Sequence, residues 1–293
     1  MSGCSAELAL ASRKTSAVLS SRSEANPASE CWEDMHSLAE ECQPPTITLL
    51  DVMLSRLKHE GAVAASGLGE HRCAVLDWMV GVLALHRQRP SAFFRAAQLL
   101  DRFHASAVPT HREAKLSACA AVSIASKFDE SRFVSLKSLE HSSVRYRLRR
   151  DEIIARQFEF VKAFGLDCPR YTCAEAVEEV AAELPLDERR REFVVRAALL
   201  VLRMCVFDAE RWGSADRVEL VGCSVVFGLR LLAGLDAQTR VGEAVECVAR
   251  LLKVEPAQLG EKLRDVHAFV VGFEGSFSGA KNLRRHHKFS ALP

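Results

Sequence analysis

The sequence predicts an all-α protein: two tandem five-helix domains behind an N-terminal helix. Three observations carry that reading. Helical periodicity runs without a convincing strand from about residue 70 onward, one helix near residues 111–128 has no wet face, and its pattern returns 104 residues later.

Residues 1–45 mix Ser, Ala and Glu without a sustained period and end at Pro44-Pro45, which reads as a disordered tail. Residues 46–69 hold an N-terminal helix and connector. Thr48-Leu-Leu-Asp51 has capping-box spacing, and Leu49, Leu50, Met53, Leu54 and Leu57 share one face before Gly61. That face should cover apolar surface on the first domain or on a partner.

The first domain, 70–168, should contain helices at about 70–87, 91–106, 111–128, 134–141 and 150–165, with Pro169 breaking the chain. The third begins with a capping box, Thr110 to Glu113, and carries no charge from Leu116 to Ser126, so it must be buried all round. The second domain, 169–275, repeats the plan at about 172–183, 187–208, 215–233, 238–252 and 256–272. Thr172 and Glu175 form another capping box, and Pro256 suits a helix start. Leu116, Ala118, Cys119 and Val122 return as Leu220, Gly222, Cys223 and Val226, and Arg95-Ala-Ala returns as Arg196-Ala-Ala. Residues 276–293 form a basic tail that reads as solvated or as a nuclear-import or phosphate-contacting run.

With 293 residues, 48% of them apolar and 26% charged, the chain can bury two cores, and a net charge of +1 gives no electrostatic reason to expect nucleic acid. No apolar run approaches the roughly 20 residues that span a bilayer, and no secretory signal is visible, so an intracellular protein without membrane partners is expected. Ten cysteines without a Cys-x-x-Cys pair point to reduced, structural thiols. No phosphate loop, metal-ligand spacing or nucleophile elbow appears, and nothing in the sequence sets a base beside Cys168. The expectation is therefore no metal, no cofactor and no catalysis. Arg72 and Asp101 stand as charges within apolar helices; buried charges need partners, so they should form a structural ion pair.

Three motifs occur in register: Arg72-x3-Leu-Asp-Trp78, Leu99-Leu-Asp-Arg-Phe103 and Ala125-Ser-Lys-Phe-Asp-Glu130. In this order and spacing the sequence resembles a cyclin, specifically in the first domain and more weakly in the second. The resemblance implies a regulatory subunit that binds and activates a cyclin-dependent protein kinase in cell-cycle control, most like the mitotic A and B types, in nucleus and cytoplasm. It places Lys127, Phe128 and Glu130 at the kinase-facing surface, with Phe128 packing on the kinase's regulatory helix. Gln157 stands where the family usually carries a Glu that works with the Lys, and Glu159 and Glu152 are substitutes in another register. The resemblance also implies a basic tail that packs back on the fold as in mitotic cyclins, and a weak docking patch for substrates or inhibitors at Val75, Trp78, Lys115 and Leu116, with burial in the core an equally good account of Val75 and Trp78. Cys73 and Ala74 there are smaller than the family's residues, and Gly81 replaces its acidic residue. Two other readings share the tandem fold: a scaffold without kinase activation, and a transcription-factor-IIB-like protein, which would carry a basic face and an N-terminal zinc ribbon.

Overall fold

Capping chemistry sets where the helices begin. In the computed structural model, which describes residues 47–59, 67–129, 133–165, 169–235 and 241–286, the Thr110 hydroxyl and amide each donate to the Glu113 carboxylate at 2.8 Å. The Glu113 amide donates back to Thr110 Oγ1 at 3.3 Å. Thr48 with Asp51, and Thr172 with Glu175, close the same reciprocal pattern, their amides donating at 3.2 and 2.7 Å. The tail before residue 46, the connector at 60–66 and the last residues from 287 lie outside the described residues.

Thirteen α-helices and one 3-10 turn, without a strand, make up the described residues. The first is α1 (Leu49–His59). A first set follows: α2 (His71–Leu85), α3 (Pro90–Phe103), α4 (His111–Asp129), α5 (Leu136–Ser142) and α6 (Arg150–Phe164). A second set comprises α7 (Cys173–Ala182), α8 (Glu188–Phe207), α9 (Ala209–Ser214), α10 (Arg217–Leu235), α11 (Val241–Leu252) and α12 (Pro256–Ser276), and α13 (Lys281–His286) closes the series. Within the first set α4 is central, packed on α2, α3, α5 and α6; within the second, α10 is packed on α7, α8, α11 and α12. Small residues permit this. Ala118, Ala120, Ala121 and Ala125 of α4 are wholly buried, and a Cβ at Gly228 of α10 would lie 2.8 Å from the Val194 carbonyl of α8.

Two expectations change. The apolar face of α1 (Leu50, Met53, Leu54 and Leu57) is buried as the periodicity requires, but it packs on α7 and α10 of the second set rather than on the first. Lys253 Nζ reinforces that placement, 2.7 Å from Asp51 Oδ1. Further helices also appear: α9 is a single capped turn started by Asp208, and α13 turns the front of the basic tail into a packed element with Leu283 buried.

Buried arginines tie the sets together. Arg72 pairs with Asp101 as expected, one guanidinium nitrogen lying 3.0 Å from Oδ2, and also donates to the Val206 carbonyl of α8 at 2.7 Å. Arg95, which sequence reasoning did not single out as a buried charge, donates from Nε to the Pro169 carbonyl at 2.7 Å and pairs with Glu175 at 3.4 Å. Breaking either would orphan a charge in the interior, so these contacts define how one set sits on the other. Among the described residues no helix is long and apolar enough to cross a membrane.

Candidate functional site

At the end of α4 the chain passes from core to solvent within one residue. Ala125 and Ser126 are wholly buried, whereas Lys127 and Phe128 are exposed. Ser126 holds the return of the chain: its Oγ donates to the Ser123 carbonyl and accepts from the Val134 amide, both at 3.2 Å, which sets Phe133 beside the helix end. The Arg95 guanidinium lies 5.5 Å from the Phe128 ring centroid, so that exposed ring stands next to a cation anchored in the core.

Helix α6 runs against α4 and has two apolar faces. One is internal, with Ile153 and Phe160 buried and the Phe160 ring stacked on Phe103 at 4.1 Å between centroids. The other faces solvent: Ile154, Phe158 and Val161, spaced i, i+4 and i+7, are 39%, 70% and 44% exposed, and Phe128 and Phe133 are 51% and 56% exposed. Large apolar side chains grouped this way on a surface indicate a partner, whereas scattered ones do not. Lys127 Nζ lies 3.4 Å from Gln157 Oε1 and so joins the α4 end to α6 beside the stripe. The Gln157 Nε2 is buried without a hydrogen-bond partner among the described residues. The alternative carboxylates are engaged elsewhere, Glu159 with Arg156 at 3.1 Å and Glu152 with Arg112 at 2.7 Å, so Gln157 is the group that meets Lys127. Glu130 lies outside the described residues.

The expected docking patch is not an open groove. Val75 is wholly buried, and Leu116 and Lys115 are nearly so. The Lys115 ammonium sits 3.8 Å above the Trp78 ring and 5.3 Å from that of Tyr146, and burial lowers its pKa to about 7. Trp78 donates its indole N–H to the Ser142 carbonyl at 3.2 Å. Helix α13 covers another part of α2: the Asp77 carboxylate accepts from the amides of Asn282 and Leu283 at 2.8 and 3.0 Å, and a Cβ at Gly81 would lie 3.0 Å from the Asn282 side chain. Gly81 therefore makes room for α13. Val75 and Leu116 thus belong to the core, while Trp78 is half-buried and Ala74 is exposed.

Among the described residues no group of three His, Cys, Asp or Glu side chains could hold a metal ion. Burial pushes the thiols of Cys119, Cys205 and Cys223 up to about 12, which suits packing and not nucleophilic attack. Cys168 lies outside the described residues. Reasoning from sequence missed Arg95 and the stripe Ile154, Phe158, Val161. The signal was present in Arg-Asp-Glu-Ile-Ile-Ala-Arg-Gln-Phe-Glu-Phe-Val-Lys-Ala-Phe, whose apolar residues outnumber the positions of one face.

Residues 53–167 match the family described as Cyclin, N-terminal domain. Among solved structures the chain is similar to a viral cyclin from herpesvirus saimiri, with a TM-score of 0.62 at 15% identity over 77% of this chain and 98% of that one. At that identity the likeness is one of fold. A chain from the CAK complex of Chaetomium thermophilum bound to ATP-gamma-S gives a TM-score of 0.41 at 14% identity, over 86% of this chain and 91% of that one, too low to argue from. No curated protein sequence matches.

Proposed function

By its residues 53–167 the chain belongs to the cyclin family, and from that premise we propose that it is a non-catalytic regulatory subunit that binds and activates a cyclin-dependent protein kinase. One observation carries the proposal: the exposed apolar stripe of α6 together with Phe128 and Phe133 at the end of α4, all within or beside the family-matched segment. Burying such a side chain against a partner contributes roughly 1.5–3 kcal/mol, so three or four of them supply a stable contact without any polar anchor.

Lys127 and Gln157 give the stripe its geometry by holding the α4 end on α6. A helix of the kinase seated there stays in its active position, and the pool of kinase conformers shifts toward the one that orients ATP. Gln157 presents a neutral oxygen to Lys127, and a charged acceptor would hold it more firmly. The finer assignment, a mitotic A- or B-type regulator acting in cell division in nucleus and cytoplasm, draws its support from the three motifs and from the tail packing back on α2.

Reconstitution tests the proposal. Purified cyclin-dependent kinase catalytic subunits are mixed singly with the protein, and histone phosphorylation is followed. Stimulation of at least one subunit is expected. Binding without stimulation would make the protein a scaffold, and neither binding nor stimulation across the panel would overturn the proposal.

A further inference from the structure

Arg95 of α3 is 1% exposed, yet the exposed Phe128 ring at the end of α4 lies over its guanidinium, 5.5 Å away at the centroid. The same side chain reaches the second set. Its Nε donates to the Pro169 carbonyl at 2.7 Å, and Nη2 donates to the Arg170 carbonyl at 3.1 Å and lies 3.4 Å from Glu175 Oε1. Glu175 is itself held, since its other oxygen accepts from the amide and hydroxyl of Thr172 at 2.7 and 3.0 Å in the capping box that starts α7. The cation under the ring is therefore fixed by the connection into the second set.

The internal repeat shows that helix packing alone does not require this arrangement. Arg95-Ala-Ala of α3 returns as Arg196-Ala-Ala of α8, but Arg196 is exposed and meets no ring among the described residues. Leu232 stands in α10 where Phe128 stands in α4, and it is buried. The buried arginine and the ring above it thus occur together in the first set and are missing together from the second. Burying a guanidinium is costly unless its donors are occupied, a cost that the second set avoids by leaving Arg196 in water.

From this pairing we infer that Arg95 is a positioning residue for the partner-binding surface: it holds the Phe128 ring in one orientation and ties that ring to the start of the second set. The partner's identity, a cyclin-dependent kinase, rests on the proposed function. An exposed ring without such a support exchanges among rotamers, and holding it in one of them lowers the ordering cost of association. One face of the ring lies on the cation, and a partner covering the ring removes water from the contact between them. A cation–ring contact strengthens when it is desolvated, so the partner's grip on Phe128 depends on the arginine beneath it.

Two measurements on the full chain test the inference. Without any kinase, the buried and hydrogen-bonded Arg95 Nε–H should give a slowly exchanging proton–nitrogen NMR signal. Phe128→Leu, which keeps an apolar side chain and removes the ring, should shift that signal and speed its exchange about threefold or more, while the melting temperature hardly moves. An unmoved signal would overturn the inference whether or not a kinase binds. With a responsive kinase catalytic subunit, Phe128→Leu and Arg95→Lys, which keeps the charge and loses the guanidinium fork, should each weaken association about fivefold, and the double variant should bind no more weakly than Phe128→Leu alone. Additive losses would overturn the inference, because Arg95 would then act on the joint between the sets and not through the ring. If Arg95→Lys does not fold, the Phe128→Leu signal decides by itself. Failure of every kinase subunit to bind the wild type would overturn the proposed function, and the signal in the free chain would still decide whether Arg95 holds the ring.

Discussion

The central helices α4 and α10 solve one burial problem twice and differ at their ends. In register, Leu116, Ala118 and Cys119 stand where Leu220, Gly222 and Cys223 stand, and all but the glycine are counted in the buried apolar core. The last turns diverge: exposed Lys127 and Phe128 correspond to Leu231 and Leu232, which pack against the core. Near the start, buried Lys115 corresponds to Glu219, which reaches Lys262 at 3.8 Å. Repetition thus fixes the frame, and the departures lie at the helix ends, where α4 exposes Lys127 and Phe128 and α10 turns Leu231 and Leu232 inward.

The comparison is broken most violently at the joint between the sets. Asp101→Ala should cost about 3–5 kcal/mol, because it leaves Arg72 buried without its carboxylate, and denaturant unfolding should show the midpoint falling accordingly. Gly228→Ala comes next, at about 1–3 kcal/mol, since the new methyl meets the Val194 carbonyl; the equivalent position in α4 holds Ile124, where truncation to Val should cost under about 1.5 kcal/mol.

Lys115 sharpens the comparison through pH. Its folded pKa, near 7, lies below the ordinary lysine value of 10.5, so the unfolded chain binds the extra proton between those values. Stability from this residue should rise as pH is raised from about 7 toward 10, and the penalty for burying the charge is fully present below 7. Lys115→Met should abolish that rise, leaving a variant whose advantage over the wild type is largest at pH 6 and shrinks by pH 10. A parallel pH dependence in both proteins, measured by urea melts, would show that Lys115 does not titrate in the fold. Smallest is Gln157→Glu, which should tighten kinase association by at most about tenfold and alter stability by less than about 1 kcal/mol, since the Lys127 pair is exposed. A large loss of association would mean that α6 meets its partner in another register.

Much of this was legible in the sequence because it rests on local or strongly periodic signals. Capping boxes at Thr48, Thr110 and Thr172 start their helices as read, and the uncharged run from Leu116 to Ser126 is the centre of its set. What could not be read depends on distant partners. Nothing in the spacing of Leu50, Met53, Leu54 and Leu57 says that α7 and α10 receive them. The role of Gly81 follows only from Asn282, two hundred residues on. Of the two accounts open for Val75, docking and burial in the core, the structure shows the burial, and Leu116 is nearly buried too: a resemblance matches residue types, whereas exposure is decided by what the rest of the chain lays over them. The Lys127–Gln157 contact joins a residue that a motif points to and one that the family resemblance points to, whereas the neighbouring stripe of Ile154, Phe158 and Val161 shares its helix with the buried Ile153 and Phe160, so apolar periodicity alone does not tell the exposed face from the buried one.

The most direct test of the account is the dissociation constant for a responsive kinase catalytic subunit, measured by surface plasmon resonance for the wild type and for Phe128→Ala/Phe158→Ala, with a thermal melt of each. Both rings are more than half exposed, so the melting temperature should hardly move, while loss of two central apolar contacts should weaken association about 100-fold or more. Unchanged affinity in a folded variant would contradict the assignment of this surface to the kinase. A collapse in melting temperature would show that the two rings support the fold instead.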